Sequence, residues 1–154
     1  GDRKNNLYKA LNLLNKENIV IKKKSKLYES KSWPNEKFPE FINFVVLIET
    51  RLSLTKLFLI IKNIENKVGR IESKRNFPRV CDIDIIDFNG QIIKRKISNN
   101  KINIPHQRMH NRNFVLLPLF ELNKDWFHPK HRKNIVFLLS NLSSEQLLGI
   151  KIVQ

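Results

Sequence analysis

Segments of helical and of strand-like periodicity, joined by single Gly and Pro residues, predict an α+β fold with an antiparallel sheet and helices packed on one side. Three observations carry this expectation. Residues 6–16 and 53–69 repeat apolar side chains at helical spacing, residues 41–51 and 81–88 are rich in β-branched and aromatic side chains, and Asn89-Gly90 is a strong hairpin signal. At 154 residues the chain has the size of one domain, so residues 1–154 are read as a single unit without repeats or linkers.

Asn5 and Asn6 offer caps for a first helix over 6–16, with Leu7, Leu11 and Leu14 on one side. Ile19 to Ile21 and then Leu27 and Tyr28 read as an extended strand interrupted by lysines. A polar loop over 29–40 follows, containing Trp33. Phe41 to Arg51 is apolar on both faces and predicts a buried inner strand. Ser53 caps a second helix with Leu54, Leu57, Ile60, Ile61 and Ile64 inward, and Gly69 ends it. Cys81 to Phe88 reads as a strand that Asn89-Gly90 turns back into Gln91 to Ile97. A polar stretch leads to Pro105, Asn113 caps a helix that contains Pro118, and the remainder is helix-rich.

The net charge of +15 is spread along the chain rather than gathered in a block, as a general bias towards Lys would produce. It suits a small polyanion as well as a nucleic acid. No apolar run approaches the ~20 residues of a membrane span, no signal peptide is legible, and the lone Cys81 has no disulfide partner. A cytoplasmic protein acting without membrane or nucleic acid is the expectation.

In a strand, the spacing of two puts Asp82 and Asp84 on one side, where a pair of carboxylates can hold Mg²⁺ with phosphate oxygens and water. A strand whose polar face meets water would look the same. Arg70, Arg75 and Arg79 precede the pair and offer planar donors for phosphate, although exposed arginines need no such role. His106 and Arg112 are further phosphate-binding candidates. Phe114 offers a ring to a flat ligand or to the core, and Phe41 and Asn43 share a strand face. No Gly-rich phosphate loop or nucleophile elbow is present. His110, His128 and His131 show no metal-ligand spacing and are read as surface or structural residues.

Taken in order, these residues resemble the 6-hydroxymethyl-7,8-dihydropterin pyrophosphokinase family. The most specific stretch is Arg75-x-x-Pro78-Arg79-x-x-Asp82-Ile83-Asp84-Ile85-Ile86, supported by Phe41-Ile42-Asn43, Glu65 with Gly69-Arg70, Ile104-Pro105-His106, Asn111-Arg112-x-Phe114 and Pro118-Leu119-Phe120-Glu121. The resemblance covers nearly the whole chain. It implies a ferredoxin-like sheet, whose first strand would lie ahead of Gly1 and is lacking here. It also implies diphosphate transfer from ATP to the hydroxymethyl pterin in folate biosynthesis, with release of AMP. Asp82 and Asp84 would hold two Mg²⁺ ions, and Arg70 and Arg79 would steady the transferring group. The pterin would meet Ser30, Lys31, Trp33, Phe41, Asn43 and Phe114. ATP would meet Glu65, Arg70, Arg75, Arg79, Ile85, Lys101, Asn103, His106 and Arg112, in a monomer. Phe77, Asn76 and Glu72 depart from the family pattern. A basic RNA-binding module on a ferredoxin-like sheet and a catalytically degenerate relative are the alternatives.

Overall fold

The computed structural model describes residues 2–31, 37–69 and 80–153. The first helix, α1 (Arg3–Asn15), begins earlier than its apolar spacing suggests, because the Asp2 side chain accepts from the Asn5 amide and caps it. Ala10 and Leu14 are its buried residues. The strand expected over 19–28 is two strands, β1 (Val20–Lys24) and β2 (Leu27–Ser30), separated at Ser25, whose amide donates to Val45 O and whose hydroxyl accepts from Val45 N.

The single inner strand expected over 41–51 is likewise two: β3 (Phe41–Asn43) and β4 (Val46–Glu49). They join different ladders. β4 pairs antiparallel with β1, while β3 pairs with β2. Both are half-buried or exposed rather than enclosed on two faces.

The second helix, α2 (Leu54–Val68), follows its sequence signals closely. The Ser53 hydroxyl accepts from the Lys56 amide, and Gly69 closes the helix at φ 110°, a left-handed value that disfavours a side chain. Leu57, Ile61, Ile64 and Val68 face α1 and meet Ala10, Leu14, Ile19 and Cys81 in one apolar cluster. Each buried aliphatic side chain of this size stabilises by about 1.5–3 kcal/mol.

Residues 81–88 carry the alternation of a strand but no strand ladder among the described residues. Cys81 is buried, Ile83 and Ile85 are half-buried, and Asp82 and Asp84 are exposed between them. Asn89 and Gly90 do turn the chain, at φ 53° and 68°, and the Gln91 amide donates back to Phe88 O. The hairpin forms one step later, however. β5 (Ile93–Ile97) pairs with β6 (Asn100–Ile104) around Ser98, which takes φ 53°. The stretch read as polar is therefore a strand, and its Ile102 and Ile104 pack with Leu54, Phe58 and Ile97.

A short 3-10 turn at Met109–Asn111 leads into α3 (Asn113–Leu122). Asn113 is its first residue rather than its cap: its side-chain oxygen accepts from the adjacent Phe114 amide, and Arg112 precedes it without a capping bond. β7 (Phe127–His128) pairs with β8 (Lys133–Asn134), then come α4 (Ile135–Ser140) and α5 (Ser144–Leu148). Met109, Leu116, Leu119, Trp126, Ile135 and Leu138 form a second buried cluster. The last described strand, β9 (Ile150–Val153), lies in the part read as helix-rich, and it pairs with β2 to give the order β3-β2-β9. The result is α+β with antiparallel ladders and helices. No described helix is long and apolar enough to cross a membrane.

Candidate functional site

Two adjoining cavities lie against Asp84 and His106, which line both. The larger, about 260 Å³, is bordered by Phe58 and Lys62 of α2, Ile85, and Lys101 and Asn103 of β6. The smaller, about 100 Å³, is bordered by Asn43, Phe44, Asp82, Ile86 and Phe114. Sequence-predicted residues thus separate into two groups around one carboxylate pair: Ile85, Lys101 and Asn103 on one side, Asn43 and Phe114 on the other.

The carboxylates owe their position to a buried partner. Glu65 is fully buried on α2 and accepts the Ile83 amide at 2.8 Å and the Lys62 ammonium at 2.9 Å. Ile83 lies between the two aspartates, so Glu65 anchors their backbone to the helix. It lines neither cavity, and the bond it accepts from the Ile83 amide is a positioning contact. Lys62, unmarked in the sequence reading, is the group that borders the larger cavity. Its spacing of three from Glu65 on a helix was the available signal.

His106 is held in a defined tautomer. Its Nδ1 accepts from the Arg108 amide at 3.2 Å, so in the neutral ring the proton sits on Nε2, 3.9 Å from Asp84 Oδ2. Burial lowers its pKa, with Arg112 and Arg108 adding to the effect and Asp84 opposing it. The ring is thereby a neutral N–H donor at the junction of the cavities. Arg112 has its own pKa pressed down by burial first and by Arg108, with Asp84 opposing, and its guanidinium stands 5.4 Å over the Phe114 ring.

Ser30 is buried in β2 and its hydroxyl accepts from Asn43 Nδ2 at 3.2 Å, which orients that amide. Phe41 pairs with Ser30 across the ladder and, like the exposed Lys31, lines neither cavity. Trp33, Arg70, Arg75 and Arg79 lie outside the described residues. Cys81 is buried and free, its thiol pushed up to about 11 by burial and then by Glu65 and Asp82, so it stays protonated and non-nucleophilic at neutral pH. His110, His128 and His131, read as surface or structural residues for want of a convincing metal spacing, come together. The fold brings one ring nitrogen of each within 4.8 Å of the others.

An exposed carboxylate pair beside two cavities, bordered by cationic and amide side chains, fits a transferase that handles phosphate groups. A family model described as 7,8-dihydro-6-hydroxymethylpterin-pyrophosphokinase (HPPK) matches residues 1–124, and the chain belongs to that family. Its relatives include the 2-amino-4-hydroxy-6-hydroxymethyldihydropteridine pyrophosphokinase of Aquifex aeolicus, 38% identical over 133 residues that cover 86% of this chain and 80% of that protein. The enzyme of the same name from Haemophilus influenzae is 38% identical over 121 residues, 79% of this chain and 72% of that one. The folic acid synthesis protein FOL1 of Dictyostelium discoideum is 40% identical over 129 residues, 84% of this chain but 19% of that longer protein. Family members are ATP-dependent pyrophosphokinases, transferases of folate synthesis.

Proposed function

We propose that this chain transfers diphosphate from ATP to 6-hydroxymethyl-7,8-dihydropterin and releases AMP. The observation that carries the reading is the pair of cavities meeting at Asp84 and His106, one lined by Lys62, Lys101 and Asn103, the other by Asn43 and Phe114. ATP is assigned to the first and the pterin to the second.

The donor set suits Mg²⁺. Asp82 and Asp84 are exposed carboxylates two residues apart, hard oxygen donors of the kind that hold this ion together with phosphate and water. When bound, magnesium supplies charge neutralisation on the phosphates. Two ions are our reading, and Asp82 and Asp84 are the residues that would hold them.

The protein's own residues position and exclude. Asn43, held by Ser30, presents an amide donor and acceptor to the pterin edge, and Phe114 stacks on its face with Phe41 opposite. Lys31 and Trp33 complete that pocket. On the nucleotide side Lys101, Asn103 and Ile85 contact ATP, and the His106 Nε2–H donates to phosphate without adding a full charge. Arg112, with Arg70, Arg75 and Arg79 from the basic segment, neutralises the transferring group. Glu65 acts through the Ile83 backbone. Residues 1–154 serve as one domain built on a ferredoxin-like sheet, and the enzyme works as a cytoplasmic monomer.

The direct test is Mg²⁺-dependent formation of AMP and pterin diphosphate from ATP and the hydroxymethyl pterin. The Asp82→Ala, Asp84→Ala double variant is expected to lose turnover by at least about a thousandfold, as removal of a preorganised charge-stabilising group does. Full turnover in that variant would remove the pair from the site.

A further inference from the structure

Away from the carboxylate pair, three imidazoles gather between the 3-10 turn and the β7–β8 hairpin. His110 comes from the turn, His128 from the end of β7, and His131 from the loop that follows. Their ring centroids are 4.3 Å (His110 to His131), 4.4 Å (His128 to His131) and 6.3 Å (His110 to His128) apart. The hairpin holds this arrangement. The Arg132 amide donates to His128 O at 2.8 Å, the Ile135 amide to Trp126 O at 2.8 Å, and Trp126 packs edge-on to His128 at 5.5 Å.

The polar atoms of the cluster are unsettled. His110 Nδ1 and His128 Nε2 are buried and have no hydrogen-bond partner among the described residues. Orphaned buried nitrogens carry a desolvation penalty of about 1–3 kcal/mol each, so a cluster containing two of them calls for an occupant. We propose that His110, His128 and His131 form a binding site for one divalent transition-metal ion of the zinc class.

Ligand chemistry sets the class. Three imidazoles with neither thiolate nor carboxylate suit borderline ions such as Zn²⁺, whereas Mg²⁺ and Ca²⁺ require oxygen donors. Nitrogens around tetrahedral zinc stand roughly 3.3 Å apart for bonds of about 2.0 Å, so the present spread must contract by an ångström or so. His131 is exposed and its side chain is free to make that move. Three protein ligands leave the fourth position to water. Two of the rings are held in the deprotonated state that a metal takes: burial, then His131, lowers the pKa of His110 and brings His128 to about 4. Lys130 adds repulsion to both and sets a limit on affinity.

One bond must yield. His128 Nδ1 now accepts the His131 amide at 3.1 Å, so the neutral ring carries its proton on Nε2. Ligation through Nε2 moves that proton to Nδ1, and ligation through Nδ1 displaces the amide outright. Either route opens the His131 amide bond, and this gives a readout that adventitious surface binding does not produce. The bound ion would pin the β7–β8 hairpin to the turn that leads into Arg112 and Phe114.

The experiment uses untagged full-length chain, Zn²⁺ titrated against a chromophoric chelator, Mg²⁺ as the control ion, and amide NMR. One Zn²⁺ per chain is expected, with selective loss of the His131 amide signal from its apo position and a raised thermal midpoint. Mg²⁺ should do neither. His131→Ala, an exposed change, should keep the metal-free midpoint and lower zinc affinity by roughly tenfold or more, and His110→Ala should do the same. Co²⁺ should give the strong visible bands of a tetrahedral site. Zinc binding that survives His131→Ala, or that vanishes instead in Asp84→Asn, overturns the assignment, as does a chain that takes up no stoichiometric zinc.

Discussion

Removing the Glu65 carboxylate should damage stability and turnover by separable amounts. In Glu65→Ala the Ile83 amide loses its acceptor, a penalty of about 1–3 kcal/mol for a buried donor. Lys62 loses a charged partner at 29% side-chain exposure, where water makes up most of the difference, so about 0–1 kcal/mol is added. The space left by the deleted atoms adds about 1 kcal/mol. The sum, about 3 kcal/mol, is a large part of a typical total stability of about 5–15 kcal/mol. Glu65→Gln retains an oxygen for the Ile83 amide and should lose only about 1 kcal/mol. Because Ile83 separates Asp82 from Asp84, a shift of about an ångström in its backbone should lower turnover by about a hundredfold in the alanine variant. Equilibrium urea unfolding and Mg²⁺-dependent AMP formation, measured where both variants are folded, give the two numbers. An alanine variant within about 0.5 kcal/mol of the parent, a margin of about twofold in equilibrium constant, or a glutamine variant as harmful as alanine, would refute the anchoring role of Glu65.

Phe114→Ala should weaken pterin affinity by about 1–3 kcal/mol through lost stacking, and calorimetric titration with an unchanged affinity would take the ring out of the site. Ser53→Ala deletes the hydroxyl that accepts the Lys56 amide and should lower the urea-derived stability by about 0.5–2 kcal/mol, whereas Ser53→Asp should preserve it. Tyr28 donates its hydroxyl to Glu121 at 2.8 Å, and burial, then that carboxylate, push its phenol from 10.0 up to about 12. Because the folded pKa is raised, the stability this confers is complete below pH 10 and is lost as pH rises towards 12. Ultraviolet titration should show the Tyr28 phenolate emerging only in that window, and Tyr28→Phe should flatten the stability slope there; an unchanged slope would refute the link.

Much of the site was legible because its signals are local. The Asp82 and Asp84 spacing exposes both carboxylates whether or not a ladder forms, since alternation along an extended chain already separates them from Cys81, Ile83 and Ile85. Asn43 and Phe114 were singled out through their residue types and motifs, and both line the smaller cavity. The bond from the Ile83 amide to Glu65 was not legible. A helix residue's spacing shows which face it occupies but not which backbone amide another segment will bring to it.

Strand partnership was the least legible feature. Asn89-Gly90 adopts the turn its sequence demands, yet the ladder forms between β5 and β6, where Ile97, Ile102 and Ile104 gain burial against Leu54 and Phe58. Local turn chemistry sets direction, and shared burial selects the partner. Similarly, β9 was invisible as a strand because its alternation is short and its partner β2 lies at the opposite end of the chain.

By itself the sequence determined both helices with apolar faces, the Ser53 and Gly69 boundaries, the carboxylate pair and membership of a diphosphate-transferring family. These depend on neighbours within a few residues or on motifs kept in order. Tertiary structure alone decided that Glu65 anchors the aspartates, that His106 stands between two cavities, and that His110, His128 and His131 converge. Each is a meeting of groups from separate segments, selected by the burial that brings those segments together.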